Sequence, residues 1–184
     1  MSGAGLERER RRLLNRFLML AYMWRRLPLG ACAGLRVVHL DDEACTVRLP
    51  GGWRTRNPFG SAYFAAQMMA AELATGAPAM LLVRASPVSV AVILREARGT
   101  FVKRVVGPSH YTFADLAGMK AALAAAAGSA ESVAYTARVV GRTAAGETAS
   151  EFEVTWSFKR RNSGGGRRSE SGAQPLGPHA PSDG

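Results

Sequence analysis

Ser61-Ala62-Tyr63-Phe64-Ala65-Ala66-Gln67-Met68-Met69-Ala70-Ala71-Glu72-Leu73-Ala74-Thr75-Gly76 is the stretch that decides the fold. Ser61 is placed to cap a helix at its start and Gly76 to end it. Between them the side chains are apolar nearly all the way round, so the helix must be covered on most sides rather than along one stripe. Its many alanines let neighbouring strands come close. A single acid, Glu72, stands inside it.

The flanking sequence supplies the cover. Leu35–Leu40 alternates, Asp41 and Asp42 turn the chain, and Ala44–Leu49 returns, which reads as a hairpin closed off by Pro50-Gly51-Gly52. Residues 53–60 hold Pro58 and Gly60 and read as irregular. After Pro78, Ala79–Val83 is open between a helix end and a strand. Val88–Arg95, Gly99–Val106 and Ser109–Asp115 read as strands, and Leu116–Ala127 as a helix stopped by Gly128. Ser132–Arg142 and Glu147–Lys159 form a second hairpin. In the latter, Phe152, Val154, Trp156 and Phe158 share one face. An opening hairpin, one all-apolar helix and then further antiparallel strands give an α+β architecture in which the sheet curls about the helix. That order is the order of the hotdog fold: a long central helix wrapped by a curved antiparallel sheet of about five to seven strands.

Three regions follow from composition. Residues 1–30 read as an N-terminal helix packed on the domain, with an apolar side (Leu13, Phe17, Leu20, Met23, Trp24) and a basic one, stopped by Pro28 and Gly30. Residues 31–161 form the domain itself. Residues 162–184, rich in Ser, Gly, Arg and Pro, cannot bury a core and read as a disordered tail.

The net charge of +10 is carried mainly by the ends. Residues 1–27 hold seven Arg against Glu7 and Glu9, and the last stretch holds Lys159, Arg160, Arg161, Arg167 and Arg168. Basic ends attract polyanions without selecting among them, and the body lacks the aromatic platforms of an RNA binder, so no specific nucleic-acid partner is expected. Cys32, Cys45 and the three scattered histidines make no metal-ligand pattern; the cysteines read as two small buried thiols in a reducing compartment, and neither metal nor cofactor is expected. No run of 18 apolar residues appears, so no transmembrane segment is expected. The basic and then apolar start is too short in its apolar part for a secretory signal. It leaves an organelle transit peptide open beside the expected cytoplasmic location.

The segment from Asn57 to Glu72 resembles the phenylacetate-degradation type of hotdog thioesterase. That family carries an Asn, a Gly three residues on, then His-Gly-Gly and an acid near the middle of the central helix. Here Asn57, Gly60 and Glu72 hold the matching positions, while Tyr63, Phe64 and Ala65 replace His-Gly-Gly. The Ala71-Glu72-Leu73-Ala74-Thr75-Gly76 ending also resembles a thioesterase-related hotdog family of unassigned function. The strand order extends the likeness over residues 10–160.

The resemblance implies thioester hydrolysis on acyl-CoA or acyl-carrier protein. Glu72 would activate water or attack directly, Asn57 would orient water or acid, and Tyr63 would donate a hydrogen bond to the thioester oxygen. Gly60, Ser61, Phe64, Ala65 and Met68 would line the acyl site; Arg54, Arg56, Arg84, Lys103 and Arg104 could meet the phosphates of coenzyme A. Each has a plainer reading. Glu72 could sit at an exposed helix end or pair with an Arg, Asn57 could be a turn residue before Pro58, and Tyr63 could be core. The loss of His-Gly-Gly keeps a non-catalytic acyl-thioester or fatty-acid binder open as the alternative. The resemblance also implies a homodimer with sites at the interface, and the apolar run Val88–Leu94 would need such cover.

Overall fold

The computed structural model describes residues 3–161. Three short helices open the chain: α1 (Gly3–Leu14), α2 (Arg16–Arg26) and α3 (Pro28–Ala33). The single helix expected over this region is broken at Asn15, whose Oδ1 accepts from the amides of Phe17 and Leu18 at 3.1 Å and so starts a new helix. Pro28 begins α3 instead of ending a helix, its missing N–H costing nothing at a first-turn position. Leu13, Met19 and Met23 carry this region into the main core.

The sheet has six antiparallel strands: β1 (Arg36–Leu40), β2 (Cys45–Leu49), β3 (Val90–Phe101), β4 (Ser109–Phe113), β5 (Val133–Thr143) and β6 (Thr148–Arg160). Their order is β1-β2-β4-β5-β6-β3. Both expected hairpins form. The expected strands Val88–Arg95 and Gly99–Val106 are instead one strand, β3, with a register shift between Leu94 and Glu96. Gly99 does not turn the chain. A Cβ there would lie 2.9 Å from the Phe152 ring, so the glycine allows a close approach. Among the described residues β3 pairs only with β6, and its outer edge has no partner strand.

The central helix α4 runs from Phe64 to Ala85, longer than expected at both the Gly76 and the Pro78 marks. Gly76 is not among the glycines with positive φ, so it does not make a left-handed cap. Pro78 lies within the helix and forfeits one backbone bond there; tight packing on Ala74, Ala77, Ala79 and Leu81 holds the helix through it. α4 is long and apolar enough to cross a membrane by length and composition, yet here it is the helix that the sheet wraps. α5 (Leu116–Gly128) covers β5 and β6 from the end of β4.

The core between α4 and the sheet centres on Tyr111, Phe113, Phe152, Val154 and Phe158, all fully buried. Of the two cysteines, Cys45 is buried as expected, and burial pushes its thiol up to about 12, which keeps it unreactive. Cys32 is exposed, because α3 turns it away from the core. The tail expected over 162–184 lies outside the described residues.

Candidate functional site

Asn57 builds the loop that leads into α4. Its Oδ1 accepts from the Ser61 amide (3.1 Å) and hydroxyl (3.2 Å), while its own amide donates to Ser61 O (2.8 Å) and its carbonyl accepts from Gly60 (3.0 Å). Gly60 takes φ +76°, which the tight turn requires and which side chains resist. Ser61 is thereby spent on the loop and does not cap the helix, as it was expected to. The residue before α4 is Tyr63, without a side-chain cap bond. Among the described residues the amides of Phe64, Ala65 and Ala66 therefore have no acceptor.

The first of these residues, Phe64, lines an open cavity of about 610 Å³, with Asn57, Ser61, Tyr63 and Gln67 on the same side and Phe101–Val105 on the other. Tyr63 and Phe64 stand edge to face, 4.8 Å between centroids, and both are exposed. The cavity holds two cations. Lys103 is paired with Glu147, and Arg104 donates to the Phe59 carbonyl.

Beneath the cavity a buried polar cluster ties helix to sheet. Gln67 Oε1 accepts from Tyr111 Oη (3.1 Å) and Ser150 Oγ (3.2 Å), Gln67 Nε2 donates to Ala62 O (3.2 Å), and Ser109 Oγ donates to Tyr111 Oη (3.2 Å). Burial pushes the Tyr111 phenol up to about 12, so it stays a neutral donor. Gln67 was not singled out in the sequence. The signal available was its position as a polar residue on a helix otherwise read as apolar all round.

Glu72 lies two turns into α4, half-buried and, among the described residues, without an ion pair or hydrogen bond. Its backbone carbonyl accepts from the Thr75 hydroxyl at 3.0 Å, a bond that does not involve the carboxylate. Desolvation raises its carboxyl above the ordinary value. It shares a helix side with Met68, whose Cε approaches Gly99 of β3, and with Gly76, beside Trp156 of β6. Glu72 is thus neither at an exposed helix end nor paired with an arginine.

The other candidates divide by place. Asn57, Ser61, Tyr63 and Phe64 line the cavity together with Lys103 and Arg104. Gly60 and Arg56 line a smaller neighbouring hollow of about 210 Å³. Ala65 and Met68 are half-buried on α4 and line neither. Arg84, near the end of α4, pairs with Glu9, and Arg54 lines a different groove, beside α2 and β1. These last two are not brought to the cavity.

A family model described as "Domain of unknown function (DUF4442)" matches residues 15–158. No curated protein matches the chain. Among solved structures, a protein of unknown function from Chlorobaculum tepidum superposes with a TM-score of 0.67 at 12% identity, covering 80% of this chain and 98% of its own. A Pseudomonas aeruginosa protein carrying the description "Probable Thioesterase" does so at 0.65 and 20% identity, covering 80% and 97%. A thioesterase from Haemophilus influenzae does so at 0.57 and 10%, covering 79% and 91%. The likeness identifies the hotdog fold.

Proposed function

Because the chain belongs to the DUF4442 family and folds as a hotdog protein, we propose that it hydrolyses an acyl-CoA or acyl-carrier-protein thioester, with Glu72 as the group that activates water. The observation that carries this reading is the state of Glu72. An acid half-buried in an apolar helix, unpaired among the described residues and with its carboxyl raised by desolvation, is costly to keep and is a stronger base than an exposed carboxylate.

The free amides of Phe64 and Ala65 would stabilise the oxyanion, since donors fixed at a helix N-terminus need no reorganisation as charge develops. Asn57, whose Oδ1 is committed to the loop, would present its Nδ2 to water or substrate, and Tyr63 its hydroxyl to the thioester oxygen. Lys103 and Arg104 would meet the phosphates of the carrier.

Glu72 and Ala65 are seven residues apart, about 10 Å along the helix, so one copy of α4 cannot place both against a single carbonyl. A second copy added through the bare edge of β3 would lay two α4 helices side by side in opposite directions and bring the Glu72 of one to the amides of the other. The exposed Ile93, Leu94 and Phe101 of β3 favour that pairing. The site would then belong to a homodimer. The free, unpaired cysteines fit a reducing compartment such as the cytoplasm.

A second reading rests on Phe64 and Ala65. They stand where the resembling family has the glycines that let substrate approach, and the Phe64 ring is exposed there. With that approach narrowed, the protein would bind acyl thioesters or fatty acids without turnover. Thiol release from short, medium, long and aryl acyl-CoAs separates the readings. Hydrolysis by the parent that collapses in Glu72→Gln supports the enzyme; binding with no release on any member leaves the carrier.

A further inference from the structure

α2 is apolar on two sides. Met19 and Met23 are buried against the domain, while Phe17 (76% exposed), Leu20 (42%) and Trp24 (55%) line up at helical spacing on the side facing solvent. A helix needs one apolar face to pack; the second has no partner among the described residues. Beside it, α2 and β1 enclose a groove of about 380 Å³ with Leu20, Trp24 and Leu35 in its apolar wall and Arg16, Arg36, Arg48 and Arg54 around it.

No acid lines that groove. The acids of α1 are already engaged: Glu7 by Arg10, and Glu9 by Arg12 and Arg84. Among the described residues, none of the four groove arginines has an ion-pair partner; Arg54 donates only to the Cys32 carbonyl (3.4 Å). Trp53, next to Arg54, is 80% exposed. The face therefore offers aromatic and aliphatic side chains ringed by uncompensated cations. That is the pattern that seats a helix in the plane of a lipid interface, the rings entering at headgroup depth and the guanidinium groups meeting phosphates. A second copy docked by a two-fold axis would set these arginines against their own equivalents with no acid between, so charge disfavours self-association here.

We propose that the α2 face, with the groove arginines, docks this protein on the surface of a bilayer containing acidic phospholipid. The proposed acyl-thioester site is a different cavity, at the start of α4. The test is co-sedimentation of the full chain with vesicles of phosphatidylcholine alone and of equal parts phosphatidylcholine and phosphatidylglycerol. Two variants accompany the parent, Phe17→Ser/Trp24→Ser and Arg16→Glu/Arg36→Glu, all at exposed positions, so folding is expected to survive.

The expected result is binding to the mixed vesicles only, weakened by salt, and lowered about tenfold or more in each double variant. Failure of the parent to sediment with the mixed vesicles overturns the proposal. So does undiminished binding in both variants, which would place the contact in another basic part of the chain. A change of oligomeric state in Phe17→Ser/Trp24→Ser, with vesicle binding intact, overturns it as well and assigns the face to a protein contact.

Discussion

The Glu72 carboxylate lies over the bare backbone of Gly76, with Oε1 3.0 Å from the point where a Cβ would sit and the Trp156 ring 3.5 Å from the same point. Glycine inside a helix costs about 1 kcal/mol relative to alanine. The neighbour to be displaced by a methyl group is the end of a flexible side chain. Gly76→Ala is accordingly expected to raise stability by up to about 1 kcal/mol in chemical denaturation while lowering turnover, because the carboxylate is moved.

Glu72 also makes a pH-dependent prediction. Its folded carboxyl is raised above the unfolded value near 4.5. The contribution of such a group is fully present below the unfolded value and is lost as pH rises through the folded one. At neutral pH the parent carries the cost of a desolvated carboxylate that Glu72→Gln does not. The variant is expected to be the more stable of the two at pH 7, with the gap closing as pH falls through the raised folded value toward 4.5. Denaturation midpoints measured across that range check it, and a variant less stable at neutral pH would contradict the burial argument.

The cluster around Gln67 should behave as one unit. Gln67→Leu leaves the buried hydroxyls of Tyr111 and Ser150 without their acceptor, at about 1–3 kcal/mol for each orphaned group. Tyr111→Phe is expected to cost less, since it removes a donor and leaves smaller debts. The double variant should fall short of the sum, and a thermodynamic cycle by urea denaturation measures the difference.

Much of this was legible beforehand. The all-apolar run after Ser61 implied a wrapped helix, and alternation located both hairpins; these are strong periodic signals. The departures share a physical cause: glycine and proline punctuate a chain only where packing does not override them. Gly76 lies inside α4 against Trp156, Gly99 inside β3 against Phe152, and Pro78 inside α4 among buried neighbours, because packing outweighs local preference. Asn15 starts a helix in what looked like one continuous amphipathic pattern. At the site, Asn57, Ser61, Tyr63 and Phe64 come together at the head of α4, as adjacency in sequence suggested. Only charge marks Arg54 and Arg84 in the sequence, and charge carries no information about where in the fold a residue lies.

The edge of β3 offers a test by charge. Leu94 lies on the same side of the sheet as Trp156 and is 39% exposed. Leu94→Lys is expected to yield a folded monomer by sedimentation velocity, with its far-UV circular dichroism retained and thiol release abolished. A fully active monomer would contradict the shared site.

The most direct measurement is thiol release by a mixture of two inactive variants. Glu72→Gln removes the acid. Phe64→Pro removes a free amide at the first helical position, where proline is tolerated and Tyr63 already has the extended backbone that must precede it. If each site takes Glu72 from one copy and the α4 start from the other, a mixed dimer holds one intact site, and mixing should restore about a quarter of parental activity. Two variants that remain inactive on mixing, despite proven exchange of subunits, would contradict a site built across two copies.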